Sequence, residues 1–490
     1  MLLLALALLL SPLQGALGDD RETLTDNWYE IFVRSFYDSD GDRVGDFNGI
    51  TAKLDDLSAL GVGGIWLMPI HPSPSYHGYD VTDYYDVNPD FGTLADFEAL
   101  LSAAHARGIR VIIDLVLNHT SNEHPWFQSA RFVENSPYRE WYNWSDTAKT
   151  GYNQGGSAYY ESRFVASMPD LNLDNQEVRA EIERIMRYWL ELGVDGFRLD
   201  AVTSFYTGSA QKNKAFLKWL SATAKGIKPD CFMVGEAWDS LPVIKDYYGS
   251  GLDSFFIFPA ATKSGWIAKM LNEETDKGVA LGDTLALAER ELSGYLPAPF
   301  LGNHDTARIA NAVGYSNATD AKMAIGLLSL FRGSLFVYYG DEIGMIGDGN
   351  DPNKRIGFFW DERSTITRVP PGTTKADYPF GSLKEQQANP LSIYNYYKAA
   401  LNLRKACPAI ARGETTVIPQ SDPTVCVIEK TFGAEKALLI VNLDIDDKTI
   451  PLPTGCEGYT ALAGELEVWG TAKLTDGALT LPAYGIALLK

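Results

Sequence analysis

The pattern of apolar and polar positions repeats one unit from Trp28 to Gly344: a short apolar run, a polar loop and a helix-like segment. The eight apolar runs are residues 29–36, 62–70, 110–116, 196–201, 231–237, 252–258, 297–301 and 335–339. Nearly continuous apolar runs separated by helices indicate parallel strands that are covered on both faces. The pattern therefore predicts an α/β fold, a (β/α)₈ TIM barrel, with an open doubly wound sheet as the alternative.

Two of the intervening helices have clear ends in the sequence. Thr93 and Asp96 form a predicted capping box, and Gly108 ends the apolar stripe that follows them. After Asn175, apolar residues recur at helical spacing as far as Gly193. We expect both helices to pack against the barrel.

Two segments depart from this repeat. Residues 120–172 are polar and rich in aromatic residues, and their length predicts a subdomain inserted after strand three. Alternating strands at 425–428, 437–443 and 478–481 predict a C-terminal antiparallel β domain that begins near Arg412. The predicted barrel therefore comprises residues 19–119 and 173–411. The inserted domain comprises residues 120–172, and a C-terminal β-sandwich comprises residues 412–490.

The N-terminal residues 1–18 carry no charge, and Leu2 to Leu10 form an unbroken apolar run. Small residues, Ala16 and Gly18, precede Asp19, as they do at a signal-peptidase site. The run is too short for a stable membrane span. Although the usual basic start is missing, we expect a signal peptide and a secreted or periplasmic protein, with a buried helix as the alternative.

Composition and charge narrow the function. Apolar residues make up 46% of the chain and charged residues 21%, as in an ordinary folded protein. The net charge of −21 argues against a nucleic-acid partner and favours an uncharged or cationic ligand. The 4 cysteines have no CxxC spacing, which argues against a zinc or redox site. The sequence is compatible with two alternatives: a Cys426–Cys456 disulfide, or four buried free thiols.

The predicted strands end in charged or polar residues, and these ends share the rim where barrel enzymes place their active sites. The residues concerned are Asp114, Asn118, His119, Arg198, Asp200, Glu236, Asn303, His304 and Asp305. Each could simply cap a helix, but convergence of four strand ends favours a site. Glycoside hydrolysis needs such a pair of carboxyl groups on opposite faces of a sugar. No phosphate loop, HExxH helix or GxSxG elbow occurs, so the other common hydrolase chemistries lack their parts.

Four segments together resemble the signature regions of the α-amylase family, glycoside hydrolase family 13. They are Asp114-Leu-Val-Leu-Asn118-His119, Gly196-Phe-Arg198-Leu-Asp200, Gly235-Glu236 and Asn303-His304-Asp305. Gly78-Tyr79-Asp80, Met168-Pro-Asp170-Leu-Asn172, Tyr338-Tyr-Gly340-Asp-Glu342 and Arg355 match as well. The resemblance runs from about residue 28 to 490. The Met168 segment is similar to an intermediate α-amylase group between oligo-1,6-glucosidases and neopullulanases.

The resemblance implies a role for each site residue. Asp200 would be the nucleophile of a retaining mechanism, Glu236 the general acid and base, and Asp305 a stabiliser of the transition state. The remaining residues would bind the substrate: Tyr79 by stacking, His119 and His304 by hydrogen bonds, and Asp80 at the non-reducing end. Asn303 and Arg198 belong to the same predicted set, and Arg198 would in addition hold Asp200 ionised. The residues after Asp200, Ala201 to Ser204, replace the Lys-His of many starch-cleaving members.

The resemblance also implies an α-glucan as the partner and a monomeric enzyme. We expect cleavage of internal α-1,4 bonds in starch and maltodextrins. The alternatives are an exo-acting α-glucosidase, a cyclomaltodextrinase or neopullulanase-like enzyme and, more remotely, an inactive amylase-like partner subunit.

A candidate metal loop follows the first predicted strand. Alternating carboxylates and a backbone carbonyl suit a hard cation; the expected ligands are Asp38, Asp40, Asp42, Val44 and Asp46. Arg43 and Gly49 stand at the sixth and twelfth loop positions, so this is not an EF-hand. The family resemblance implies structural Ca²⁺, with Mg²⁺ as the alternative ion. The competing interpretation is a solvated acidic turn.

Overall fold

The computed structural model describes residues 27–490. The predicted signal peptide lies outside the described residues, so export stays a prediction. Among the helices of residues 27–490, none is both long and apolar enough to cross a membrane.

The strands and helices alternate in the first part of the chain, and strands dominate its end. The strands are β1 (Asn27–Ile31), β2 (Gly64–Leu67), β3 (Arg110–Leu115), β4 (Trp144–Ser145), β5 (Tyr152–Gln154), β6 (Tyr159–Glu161), β7 (Gly196–Leu199), β8 (Phe232–Gly235), β9 (Ser254–Phe256), β10 (Leu296–Ala298), β11 (Leu335–Tyr338), β12 (Glu414–Ile418), β13 (Val425–Phe432), β14 (Glu435–Asn442), β15 (Lys448–Pro451), β16 (Leu462–Leu466), β17 (Lys473–Thr475), β18 (Ala478–Leu481) and β19 (Ile486–Leu489). The α-helices are α1 (Phe47–Leu60), α2 (Leu94–His105), α3 (Pro125–Phe132), α4 (Gln176–Leu192), α5 (Ala210–Ile227), α6 (Leu241–Tyr247), α7 (Trp266–Glu273), α8 (Lys277–Leu292), α9 (Ile309–Val313), α10 (Ala318–Leu328), α11 (Asp351–Lys354), α12 (Leu383–Ala388), α13 (Ile393–Ala406) and α14 (Pro408–Arg412).

Eight parallel strands form one sheet in the order β10-β9-β8-β7-β3-β2-β1-β11. A parallel bridge between Phe300 and Phe336 joins the two ends of this order, so the sheet closes. The prediction of a (β/α)₈ barrel is confirmed, and the open-sheet alternative is wrong. The strands are shorter than the predicted runs: β1 ends at Ile31 because residues Val33–Ser35 form a 3₁₀ turn. The apolar runs extend further because the loops leaving the strands are also buried.

The helix ends follow the predicted signals. Thr93 and Asp96 form the capping box of α2, whose last residue is His105 rather than a residue adjoining Gly108. Asn175 caps α4, and Gly193 ends it in the left-handed conformation with φ of 117°. These short-range signals set where each helix meets the barrel.

The inserted segment and the C-terminal segment form separate sheets. Strands β4, β6 and β5 make a small antiparallel sheet within the insertion. Strands β12, β13, β14, β19 and β16 form one antiparallel sheet, and β15, β18 and β17 form a second. Buried side chains of both sheets, including Val427 and Leu479, make a common core between them, so the predicted C-terminal antiparallel β fold is confirmed. All four cysteines are buried free thiols.

The lower half of the barrel interior is filled by aromatic rings. Trp28 stacks between Phe232 and Phe336, with ring centroids 4.9 and 5.7 Å away. Because side chains alternate across a strand, residues two positions further along point to the same interior. The charged residue Glu30 on β1 therefore lies above the aromatic layer, on the side of the strand ends.

We expect Gly64→Ala to destabilise the protein. A Cβ at position 64 would lie 2.4 Å from the ring of Trp28, which is fully buried and has no room to move. Overpacking of this kind costs about 1–3 kcal/mol of unfolding free energy. Urea denaturation measures it. The matched control is Gly226→Ala in α5, where a Cβ meets nothing within 4 Å, so stability should stay equal or rise. Equal stability of both variants would contradict the packing described.

Candidate active site

Arg198 on β7 is the centre of a group of charged residues above the aromatic layer. Its side chain is 0% exposed, and Nη1 donates to Asp114 at 2.9 Å and to Asp200 at 2.7 Å. Nη2 lies 3.0 Å from Oε2 of Glu236. A buried guanidinium without partners would cost several kcal/mol, so these carboxylates make its burial tolerable. The acidic side chains at the ends of three strands therefore meet at the guanidinium of Arg198.

Glu236 follows β8 and is 6% exposed. Its Oε2 accepts a hydrogen bond from the amide of Ala201 at 2.9 Å. Burial raises the pKa of Glu236 to about 7; Asp200 and Asp305 add to this shift, and Arg198 opposes it. A carboxyl group with a pKa near neutrality can both give and take a proton, as a general acid and base must.

Ala201, directly after Asp200, has φ of 44°, in the left-handed region that non-glycine residues rarely adopt. The conformation costs about 1–2 kcal/mol. It directs the amide of residue 201 towards Glu236. Local strain of this kind is concentrated at functional sites, where neighbouring contacts hold the backbone in place.

Asp305 lies at the opposite side of the group, between two cations. Its Oδ1 accepts from Arg355 at 2.8 Å, and its Oδ2 lies 3.0 Å from Nε2 of His304. Burial alone would favour the neutral acid. The charges of His304 and Arg355 outweigh it and hold the pKa of Asp305 below its ordinary value. Asp305 is therefore an anion at neutral pH, in contrast to Glu236.

A cleft of about 320 Å³ opens above these residues. Its floor includes Tyr79, His119, Asp200, Asp305 and Arg355. Its wall includes Phe164, Val165 and Met168 of the inserted segment. Glu236 adjoins the cleft through its shared partner Arg198 and does not itself line it.

Of the six predicted substrate-binding residues, Tyr79 and His119 line this cleft, while Arg198 and His304 are fully buried and do not line it. The ring of Tyr79 lies parallel to that of His304, with centroids 5.4 Å apart, and one face of Tyr79 borders the cleft. Nε2 of His119 lies 3.1 Å from the carbonyl oxygen of Tyr79. Burial lowers the pKa of His119, which favours its neutral form.

Two further predicted substrate-binding residues, Asp80 and Asn303, do not line the cleft either. The carboxylate of Asp80 accepts hydrogen bonds from Ser73, at 2.7 Å, and from Ser75 within its own loop. The side-chain oxygen of Asn303 accepts from the amides of Asp305 and Thr306 at 3.0 and 3.1 Å. Asn303 thus holds the loop that presents Asp305.

Several site residues had no assigned role in the sequence. Arg355 was part of a matching segment, but nothing local indicated its contact with Asp305. Glu30, in contact with His304, could have been found as a lone acid in an apolar strand. Phe164 and Val165 gave no signal, because an exposed apolar pair in a loop has many possible roles.

The candidate metal loop lies after β1, outside the cleft. Oxygens of Asp38, Asp40 and Asp42 lie within 4.8 Å of one another, and Asp40 and Asp42 are exposed. Hard oxygen donors at this spacing fit Ca²⁺ or Mg²⁺. Asp46 is placed differently: its carboxylate caps α1 by accepting from Gly49 at 2.6 Å, and it also binds Ser39.

Comparisons with known proteins agree with this architecture. Residues 30–413 match the family model described as "Alpha amylase, catalytic domain". "Alpha-amylase 3" of Dictyoglomus thermophilum is 42% identical over 442 residues, which cover 86% of this chain and 85% of that protein. An oligo-1,6-glucosidase of Parageobacillus thermoglucosidasius is 30% identical, over 87% of this chain and 91% of its own. The solved structure of Eubacterium rectale Amy13B has a TM-score of 0.91 and 40% identity, with 95% of each chain covered.

The barrel and its carboxyl groups define a glycoside hydrolase. More specifically, the chain belongs to the α-amylase family, glycoside hydrolase family 13.

We expect kcat/KM to fall as the pH rises through about 7, because deprotonated Glu236 cannot protonate a leaving group. In Glu236→Gln this limb should disappear and kcat on maltodextrin should fall about 10²–10⁴-fold. An aryl α-maltoside with a good leaving group needs less acid assistance and should lose less. Near-wild-type hydrolysis of maltodextrin by Glu236→Gln would contradict the assignment.

Proposed function

We propose that this protein is a retaining, endo-acting α-amylase that cleaves internal α-1,4-glucosidic bonds in starch, maltodextrins and related glucans. The proposal includes export of the protein, with a signal peptide cleaved before Asp19, and a monomeric state. Both are inferred from the sequence. A neutral glucan is compatible with the net charge of −21, since it is neither attracted nor repelled.

The contacts of the site support a two-step mechanism. The carboxylate of Asp200 attacks the anomeric carbon while protonated Glu236 donates its proton to the departing glycosidic oxygen. Glu236, now a carboxylate, removes a proton from water, and the hydroxide so generated breaks the bond to Asp200. The pKa of about 7 for Glu236 suits both proton transfers. Arg198 binds both carboxyl groups, which keeps nucleophile and acid close together, as retention requires.

Asp305 would stabilise the positive charge that develops on the sugar ring. A fixed anion at the cleft floor favours an oxocarbenium-like transition state more than the neutral ground state. Arg355 and His304 hold the Asp305 carboxylate on two sides, so it need not reorganise during the reaction.

One observation supports endo action in particular: the exposed apolar wall of the cleft. Phe164 is 45% exposed and Val165 50% exposed, so this side of the cleft continues onto the surface. An exo-acting α-glucosidase would instead need polar groups that enclose the terminal sugar. Asp80, the residue expected there, is bound within its own loop.

The alternatives differ in strength. The relative named oligo-1,6-glucosidase keeps an exo-acting or cyclomaltodextrinase-type enzyme as the second candidate. An inactive partner subunit is disfavoured because Asp200 and Asp305 line one cleft and Glu236 adjoins it through Arg198, so all three acids are retained at one place.

A maltoheptaoside blocked at its non-reducing end tests endo action. We expect its cleavage at a rate within about tenfold of the unblocked oligosaccharide, because the open cleft accepts sugars on both sides of the scissile bond. Products are followed by chromatography, with Glu236→Gln as the inactive control. Hydrolysis of only the unblocked substrate, with glucose as the sole early product, would replace the proposal with an α-glucosidase.

We also propose a structural Ca²⁺ in the loop after β1, held by Asp38, Asp40 and Asp42, with Val44 and Asp46 as the further predicted ligands. Three carboxylates this close repel one another, and a divalent cation would remove that repulsion. Mg²⁺ is the alternative ion. The loop leads directly into α1, so its order affects how this helix packs on the barrel.

Chelation by EDTA should lower Tm, and excess Ca²⁺ should restore it. At about 100 times its dissociation constant, a bound ion adds about 2.7 kcal/mol of stability. Asp40→Asn should lose most of this response, whereas Asp146→Asn, an exposed acid of the insertion, should keep it. A Tm that is independent of Ca²⁺ and Mg²⁺ would leave the loop as a solvated turn.

A further inference from the structure

Glu30 is a buried acid whose side chain contacts one ionisable group within residues 27–490, the imidazole of His304. It lies on β1, is 2% exposed, and its Oε1 lies 2.6 Å from Nδ1 of His304. The other residues of this strand are Asn, Trp, Tyr and Ile, and all are buried. An acidic residue in such a strand is expensive unless it is paired, so its presence calls for a function.

The opposite nitrogen of His304 also faces acceptors. Nε2 lies 3.0 Å from Oδ2 of Asp305 and 2.7 Å from the hydroxyl of Tyr79. A neutral imidazole has one N–H and could donate to only one side, whereas an imidazolium donates from both nitrogens. A neutral ring could still accept from the Tyr79 hydroxyl at Nε2, but it would leave the Asp305 carboxylate facing an unprotonated nitrogen; the cation places a proton opposite both carboxylates.

We propose that Glu30 is a positioning residue that holds His304 as an imidazolium, and that this cation in turn fixes the Asp305 carboxylate in the cleft. Glu30 touches neither cleft nor substrate; it acts through His304. The inference rests on the role proposed above for Asp305 and adds a buried Glu30–His304–Asp305 chain to it.

The electrostatics of the surroundings support this arrangement. Burial by itself lowers the pKa of His304, but Asp305 and Glu30 outweigh it and raise the pKa to about 9. Other titratable or charged groups face this chain from neighbouring elements: Tyr79, Asp114, Arg198, Tyr338, Asp341 and Arg355. Asp114 favours the cation, while Arg198 and Arg355 act mainly on Asp305. The two carboxylates in direct contact are thus the decisive charges.

The protonation state of His304 can be measured without any variant. The chain has 6 histidines, and ¹⁵N-histidine NMR distinguishes doubly protonated rings from neutral tautomers. His304→Gln identifies the resonances by their loss. We expect both His304 nitrogens to be protonated at pH 7 and at pH 8. A neutral ring at pH 7 would overturn the proposal.

Glu30→Gln keeps the shape of the side chain and removes its charge. We expect the His304 pKa to fall, because one of its two raising charges is removed. At pH 7 kcat should fall about 10- to 100-fold, since a misplaced catalytic group costs this much. KM for maltodextrin should change less than about twofold, because the sugar-binding contacts remain. The alkaline limb of kcat should move to lower pH. Glu30→Asp, which retains the charge, should recover the wild-type limb.

Asp195→Asn is the matched control. Asp195 also pairs with a histidine, with 2.8 Å between its Oδ2 and Nε2 of His105, but this pair lies at the opposite ends of the strands. Its loss should lower Tm and leave the pH profile unchanged. A Glu30→Gln variant with the wild-type limb and a doubly protonated His304 would overturn the inference. Failure of the proposed role of Asp305 would show separately, as undiminished kcat in Asp305→Asn.

Discussion

The buried guanidinium of Arg198 is the constraint on which the site depends. It has no contact with solvent, and its acidic partners come from the ends of β3, β7 and β8. Removal of the cation would leave several carboxylates to repel one another in a medium of low polarity. The barrel must close with these ends in register for the charges to balance. Fold and site are therefore stabilised by the same contacts.

The division of labour among the acids follows from their surroundings. Burial and neighbouring anions both disfavour the charged form of Glu236, and its pKa rises. Asp305 is more exposed and lies between His304 and Arg355, whose charges lower its pKa. Identical functional groups thus acquire opposite protonation states at one pH, which is the usual way in which an enzyme separates an acid from an anion.

Much of this could be predicted from the sequence, because the signals were local or periodic. Eight apolar runs gave the barrel, and Thr93 with Asp96 gave the start of α2. In a parallel barrel all strands end at the same rim, so the sequence predicts that strand-end residues such as Asp200 lie in one site. Contacts between distant loops could not: the pairing of Arg355 with Asp305 and the withdrawal of Asp80 from the cleft depend on how loops fold. Asp46 was predicted as a ligand, and its cap on α1 became visible only with the helix in place.

The aromatic layer formed by Trp28, Phe232 and Phe336 has a consequence for the chemistry above it. These rings exclude water from the underside of the charged group, so solvent screens the charge of each carboxylate only from the cleft side. The aromatic layer is therefore a region of low dielectric constant beneath the site. Residues that never approach a sugar therefore help to set the acid strength of Glu236, and the tuning of this enzyme extends to the far end of its barrel.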